Sequence, residues 1–333
     1  MYSVRESSYK EWLESLKKCQ KVNMLQSWQY GQAKEETSRW SINRFLILND
    51  EQVVVAIAQV LSISLPLFGG IARMNRGPLL LNSTNNALDK KILYRVIATL
   101  FDEFKQKRWR VVQIAPEISD NEQNYSFLKN IGLKKLVTLP YASGLLDLQS
   151  SNEQLLMKLK KKWRYSLRKS QDIGLNVSIL DGSNKDFFML LNRYRDLKIE
   201  KDFSGISDSL ITSLSTKKSK EWQFNLFIAN TNESEDIGDC CGMVVSIRHS
   251  DTTTYLIGVT NKEGRELQAN YLLLWEAIIH AKINGCKWFD IGGLDATTPK
   301  GIAHFKNGLQ SEPYSYIGEW RGLILPWKKY LNK

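Results

Sequence analysis

The chain is poor in the residues that hold metals and disulfides. It has 4 cysteines and 3 histidines in 333 residues. Cys19, Cys240, Cys241 and Cys286 form neither a CxxC pair nor a Cys/His ligand spacing, so no zinc site, no other metal site and no disulfide framework is expected. The thiols read as buried side chains of a reducing compartment. Cys286 falls at a helix-to-strand junction with no histidine implied near it, which disfavours a cysteine nucleophile. Long apolar runs are missing as well. Val53 to Ala58 and Leu79 to Leu81 are strand-sized, well short of the ~18 residues of a membrane-spanning helix. Met1 to Gln20 is polar and charged, without the apolar stretch of a secretory signal, and a cytoplasmic protein is the expectation.

What the chain has is positive charge. Lysine and arginine number 46 against 35 acidic residues, a formal net charge of +11. Such a balance points to a polyanionic partner: a nucleic acid, a nucleotide-linked or lipid-linked substrate, or an anionic membrane surface. Single cores stop growing at roughly 250 to 300 residues, so this length predicts two domains, and 43% hydrophobic with 11% aromatic residues can fill both. The densest basic patch lies in a predicted helix from Ser151 to Ser170. There Lys158, Lys160, Lys161, Lys162, Arg164, Arg168 and Lys169 interleave with Trp163 and Tyr165. Cations with aromatics among them are a footprint of RNA or nucleotide binding, and equally the pattern of a solvated helix face.

Periodicity outlines two similar runs of strands and helices. The first has an amphipathic helix at Glu6 to Cys19, strands at Trp40 to Leu48 and Gln52 to Leu61, a helix at Lys90 to Arg108, a strand at Arg110 to Ala115 and a helix ending at Gly132. Leu133 to Leu148 follows as a strand interrupted by Pro140. Arg73 and Arg76, between glycine breaks, suit either an anionic ligand or a salt-bridged strand end. The second run has strands at Gly174 to Leu180, Trp222 to Ala229, Gly242 to Arg248 and Thr252 to Val259. Its helices are Asp186 to Lys198, Ser207 to Leu214 and Gln268 to Lys282. Thr231 to Asp239 is acidic and loop-like.

The second run closes on Asn284 to Trp320. Lys287 to Ile291 has strand composition, Gly292 and Gly293 break it, and Lys306 follows Phe305 past a Gly-Ile pair. Polar groups at a strand's carboxyl end mark the usual ligand crevice of an open mixed sheet. Asp290, Gly292, Gly293 and Lys306 are therefore the first site candidates. Asp290 suits orienting an acceptor amine, taking its proton, or capping the turn; His304 is a weaker candidate for a proton shuttle.

Several stretches together resemble the FemABX family of peptidyl and aminoacyl transferases. They are Trp28 to Lys34, Asn75-Arg76-Gly77-Pro78, Lys162 to Gly174, Tyr255-Leu256-Ile257-Gly258, Ala269 to Ile278, and Asp290 to Lys306 with its closing Gly301-Ile302-Ala303-His304-Phe305-Lys306 box. The resemblance implies an α/β fold of mixed sheets, with two tandem GNAT-like acyltransferase domains at residues 1–148 and 149–313. The first would be completed by a carboxyl-terminal strand in 314–333. It also implies transfer of an aminoacyl group from aminoacyl-tRNA to an amine of a peptidoglycan precursor or related small peptide, with no cofactor beyond that co-substrate. Lys306 matches the family's oxyanion-stabilising lysine, and Phe305 beside it would shape the acceptor channel. Lys34 matches a phosphate-contacting lysine of the substrate site, where Trp28, Arg76, Tyr255, Gly292 and Gly293 would also contribute. The family's arginine near the end of a helix falls at Lys201, which keeps charge but loses the bidentate fork. Leu197 to Trp222 is too short for the coiled-coil arm of some members. RNA binding would then rest on Lys160, Lys161, Lys162, Arg164 and Arg168.

Asn261 to Tyr271 bears on the acyl donor. Coenzyme A-dependent GNAT domains place a glycine-rich turn before this helix to cradle pyrophosphate, and here Gly264 is the only glycine. A coenzyme A-dependent N-acyltransferase acting on an amino sugar or amino acid stays as the alternative, with a non-catalytic RNA-binding protein as the third.

Overall fold

The computed structural model describes residues 2–84, 86–182, 186–203, 205–231 and 240–324. It is a mixed α/β protein of two compact units. One runs to Ala142 and takes the chain back from Ser315; the other is Ser143–Tyr314.

In chain order the first unit has β1 (Ser3–Glu6), α1 (Tyr9–Leu16), α2 (Trp28–Thr37), β2 (Ser41–Leu48), β3 (Val54–Leu65), β4 (Gly69–Asn75) and β5 (Leu79–Leu80). Then come α3 (Ala87–Gln106), β6 (Trp109–Ala115), α4 (Glu122–Asn130) and β7 (Lys134–Lys135). The second unit has β8 (Ala142–Asp147), α5 (Asn152–Lys158), α6 (Lys161–Asp172), β9 (Asn176–Asp181), α7 (Asp186–Lys201), α8 (Asp208–Thr216), β10 (Trp222–Asn230) and β11 (Cys240–His249). It continues through β12 (Thr252–Thr260), α9 (Lys262–Glu266), α10 (Ala269–Ile283), β13 (Trp288–Asp290), α11 (Lys300–Asn307) and β14 (Glu312–Ser315), before β15 (Trp320–Leu323) returns to the first sheet.

The two sheets share a logic. In the first, β1 to β4 are antiparallel neighbours, β4 and β6 pair in parallel across α3, and β15 pairs antiparallel with β6. In the second, β9 to β12 are antiparallel, β12 and β13 pair in parallel across α10, and β8 pairs antiparallel with β13. A parallel pair needs a long crossover, which is why a helix intervenes at that point in each. α3 starts on a capping box of Asn86 and Asp89 and turns Val96, Ile97, Leu100, Phe101 and Phe104 onto its sheet. α10 is apolar nearly all round and lies against β10, β11 and α6, as an all-round apolar helix must.

Three sequence expectations are corrected. The expected single strand over 133–148 is two: β7 pairs β15, and β8 pairs β13 in the other sheet, with Pro140 between them. The unit boundary accordingly falls at 142 rather than 148. The expected helix over 151–170 breaks at Leu159 and Lys160, whose ψ values are 145° and 144°. No proline or glycine causes it; the Arg164 guanidinium donates to the Met157 and Leu159 carbonyls, and Lys160 N–H donates to the Gly308 carbonyl. Among the described residues there is no coiled-coil arm and no helix long and apolar enough to cross a membrane. The acidic segment 232–239 and the tail 325–333, part of the expected final strand, lie outside the described residues.

Candidate active site

The site is built where β12 and β13 stop pairing. Their parallel register covers Thr252↔Trp288 to Thr254↔Asp290. Past Asp290 the chain leans the other way, and Ile291 N–H donates to the Gly144 carbonyl of β8 at 3.0 Å. At this fork the chain turns through Gly292, whose φ is +72°. A Cβ there would stand 2.7 Å from the Tyr255 carbonyl oxygen and 3.4 Å from Lys306 Nζ. Only glycine meets both demands.

Asp290, 4% exposed, ends β13 and holds this turn. Its Oδ1 accepts from the Ser143 hydroxyl at 2.5 Å and from Gly292 N–H at 2.9 Å. Its Oδ2 accepts from the Tyr314 hydroxyl at 2.6 Å. A buried carboxylate satisfied by three donors is a rigid anchor.

Lys306 comes to the fork from α11. Pro299 opens that helix, its carbonyl accepting from Ala303 N–H. Lys306 is 6% exposed, donates to the Gly293 carbonyl at 3.0 Å and stands 5.1 Å over the Tyr255 ring. Burial lowers its pKa to about 8, against the opposing fields of Asp290 and Asp295. One of its three N–H bonds is engaged with Gly293. Tyr255, at the β-bulge where β12 loses register with β11, has its hydroxyl pKa raised by burial and by the nearby Tyr194.

Behind Lys306 lies an aromatic cluster. Phe305 stacks on Trp163 with centroids 6.0 Å apart and meets Tyr271 edge-on at 5.0 Å. Trp163 Nε1–H donates to the Phe305 carbonyl at 3.1 Å. Gly308 closes α11 because a Cβ there would stand 2.3 Å from the Trp163 ring. Phe305 thus packs inward and fixes the helix that carries Lys306. His304, next to it, is exposed. A cleft of about 300 Å³ opens beside the fork, lined by Ser143, Gly144, Lys160, Leu294, Asn307 and Ser311, and it brings Lys160 towards the cluster.

The structure therefore gathers Asp290, Gly292, Gly293, Tyr255, Phe305 and Lys306, with Lys160 on the adjoining cleft. Ser143, Tyr314 and Tyr271 belong to the same assembly and were not singled out from sequence, while Trp163, expected among the aromatics of a nucleic-acid footprint, packs on Phe305 instead. Ser143 is 147 positions from Asp290 along the chain, and no spacing rule reaches that far.

The other candidates are dispersed. Arg164 is tied to the α5 carbonyls, whereas Lys161, Lys162 and Arg168 are exposed on the outer face of α6 with no ion pair among the described residues. Lys201 ends α7 and pairs with Glu200 at 2.7 Å. In the first unit, the Trp28 indole lies under the Arg44 guanidinium at 3.6 Å and against Tyr9. Arg73 pairs with Glu319 at 2.8 Å and Arg76 with Glu117 at 2.5 Å, the latter between the Tyr141 and Tyr316 rings, so both follow the salt-bridged alternative of the sequence reading. Lys34 follows Tyr30 by one turn of α2. Burial raises the Tyr30 pKa to about 12 and lowers that of Lys34, and the Arg73 charge lowers both. No cluster of metal-ligating side chains is present among the described residues.

The segment before α10 is folded tightly. Asn261 caps α9 through Gly264 N–H at 2.7 Å. The N–H groups of Arg265, Leu267, Gln268 and Tyr271 donate to main-chain carbonyls, and Gln268 is left-handed.

Comparison with known proteins extends this picture. Residues 214–332 match the model of the FemAB family. The fold is similar to that of FemX, with a TM-score of 0.76 at 14% identity over 96% of this chain and 97% of that one. It is also similar to a tandem GNAT protein from the clavulanic acid biosynthesis pathway, with a TM-score of 0.56 at 10% identity over 98% and 99%. L-PGS from Bacillus licheniformis gives a TM-score of 0.52 at 11% identity over 96% and 92%. No curated protein matches the chain by sequence. The fold is thus two tandem GNAT-like units.

Proposed function

We propose, from the match of residues 214–332 to the FemAB family model, that the chain is an aminoacyltransferase. It moves an aminoacyl group from aminoacyl-tRNA to an amine of a peptidoglycan precursor or a related small peptide. The observation that carries this reading is the buried Lys306 at the fork between β12 and β13, held by the Gly293 carbonyl and the Tyr255 ring.

In the reaction the acceptor amine attacks the ester carbonyl. A C–N bond forms, the carbonyl electrons move onto oxygen, and collapse of that oxyanion breaks the ester C–O bond. The amine's proton ends on the departing ribose hydroxyl. Lys306 stabilises the oxyanion, a charge that exists only in the transition state. With its pKa lowered to about 8 by burial, it is also close to the acidity at which a cation can lend its proton to the leaving oxygen. Asp290 keeps Gly292 and Gly293 in place, and Phe305 fixes α11. The exposed cations of α6, Lys161, Lys162 and Arg168, supply phosphate contacts, with Lys160 at the cleft. On the acceptor side, Lys34 offers a cation to a phosphorylated or carboxylated precursor, with Trp28 and Arg76 shaping its surroundings; Lys201, exposed beside Glu200, is a further cation for the substrate.

Two features favour RNA over coenzyme A as donor carrier. The outer face of α6 is cationic and has no ion pair among the described residues, and the N–H groups from Gly264 to Tyr271 that would cradle pyrophosphate are largely taken. The purified chain, given charged tRNA and candidate amines, should form an amide product that disappears after RNase treatment. Product formed equally well without intact RNA overturns the reading. The second reading, an acyl-coenzyme A-dependent N-acyltransferase, draws on the tandem GNAT likeness. It requires heat of binding with acetyl-coenzyme A in calorimetry, which the proposed donor does not.

A further inference from the structure

At the far end of the first sheet, β3 and β4 form a hairpin paired out to Leu65↔Gly69. Its tip is apolar: Leu67 is 95% exposed and Phe68 78%, with Leu65 at 42% and Pro66 exposed between them. Soluble surfaces seldom leave large side chains so bare in one cluster. Leu67 also sits at φ +69°, where branched side chains rarely go, with Phe68 N–H donating to the Pro66 carbonyl at 2.9 Å across it. This tight turn thrusts the leucine outward, and the strained backbone at the apex needs a reason.

Cations flank the tip. Gly70 N–H donates to the Arg108 carbonyl at 3.0 Å, and the Arg110 Cγ lies 2.9 Å from where a Cβ on Gly69 would stand. Neither Arg108 nor Arg110 has an ion pair among the described residues, while the adjacent Lys107 is paired with Glu6 and Glu103. An apolar wedge with an exposed Arg108 and a half-buried Arg110 at its base is complementary to an anionic lipid surface. Leucine and phenylalanine enter the acyl boundary, and arginine stays with the phosphates.

We propose that the β3–β4 hairpin docks this protein reversibly on an anionic bilayer by inserting Leu67 and Phe68. The inference is independent of the aminoacyl-transfer reading, because its test reads binding and not turnover. The intact chain is sedimented with vesicles of phosphatidylcholine alone and of phosphatidylcholine mixed with phosphatidylglycerol. Wild type should co-sediment with the mixed vesicles and stay in solution with the neutral ones. The double variant Leu67→Ser, Phe68→Ser should lose about tenfold or more in partitioning, with an unchanged circular dichroism spectrum because both side chains are exposed. Arg108→Gln with Arg110→Gln should weaken binding and blunt its dependence on salt. Wild type that stays in solution with anionic vesicles overturns the proposal, and so does a double variant that binds as well as wild type. If the chain instead forms a dimer without lipid, and the double variant is monomeric, the tip is a contact between copies and the lipid reading fails.

Discussion

Lys306 carries the sharpest residue-scale test because its environment pulls against its charge. Burial favours the neutral amine and lowers the pKa to about 8 from the usual 10.5, while Asp290 and Asp295 favour the cation. If the cation acts, kcat/KM should fall as pH rises through about 8, and the pH–rate profile checks it. Stability runs the other way. Between about 8 and 10.5 the unfolded chain holds the proton that the folded chain has released, so the penalty of burying Lys306 is full below this window and fades as pH rises through it. Lys306→Met, which keeps the stem and removes the charge, should therefore melt no lower than wild type at neutral pH. It should lose roughly a hundredfold or more in kcat/KM, the usual scale for an oxyanion donor. A melting temperature well below wild type, or full activity, contradicts the assignment. Lys306 beside an aromatic was legible in sequence. Gly293 was marked there too and Tyr255 through the family resemblance, but their contacts with Lys306 were not legible, since they reach it through a sheet register and a turn.

The helices show how one segment can hold two jobs that sequence merges. The basic stretch reads as one helix with one cationic face; folded, it is α5 and α6, and its arginines part company. Arg164 turns back to the Met157 and Leu159 carbonyls, and Arg168 faces water. Arg164→Ala should thus lower the melting temperature by the few degrees that a lost charge-assisted cap implies, about 1 to 3 kcal/mol. It should leave RNA retention nearly intact. Lys161→Glu with Arg168→Glu should do the reverse, weakening tRNA binding several-fold on a filter assay while leaving the melting curve unchanged. The sequence placed Trp163 and Tyr165 among the aromatics of a nucleic-acid footprint; folded, Trp163 is buried with Leu167 against the core, and of the two aromatics only Tyr165 faces water. The break at Leu159 and Lys160 was not legible, because its cause is the Gly308 carbonyl, far away in sequence.

At the scale of the whole chain, the net charge of +11 makes the proposed association with RNA an ionic-strength problem. Each neutralised phosphate should steepen the fall of log affinity with log salt by about 0.7 to 0.9. A tRNA titration from low to physiological salt should accordingly lose an order of magnitude or more, and a salt-independent affinity would exclude the cationic face of α6 as the contact.

By itself the sequence determined that the chain is long enough for two cores and that strands and helices alternate in two similar runs. It also marked Asp290, the glycine pair and the Phe-Lys box as the place for chemistry. These are properties of composition and short-range period, which the chain carries wherever it folds. Tertiary structure alone decided that β8 joins the second sheet, that Asp290 is held by Ser143 and Tyr314, that Arg76 is spent on Glu117, and that Leu67 and Phe68 stand bare at a hairpin tip. Each of those depends on which distant segments meet. Hydrogen bonds and burial are set by proximity in space, and residues 147 apart in the chain become neighbours only when a sheet register brings them together.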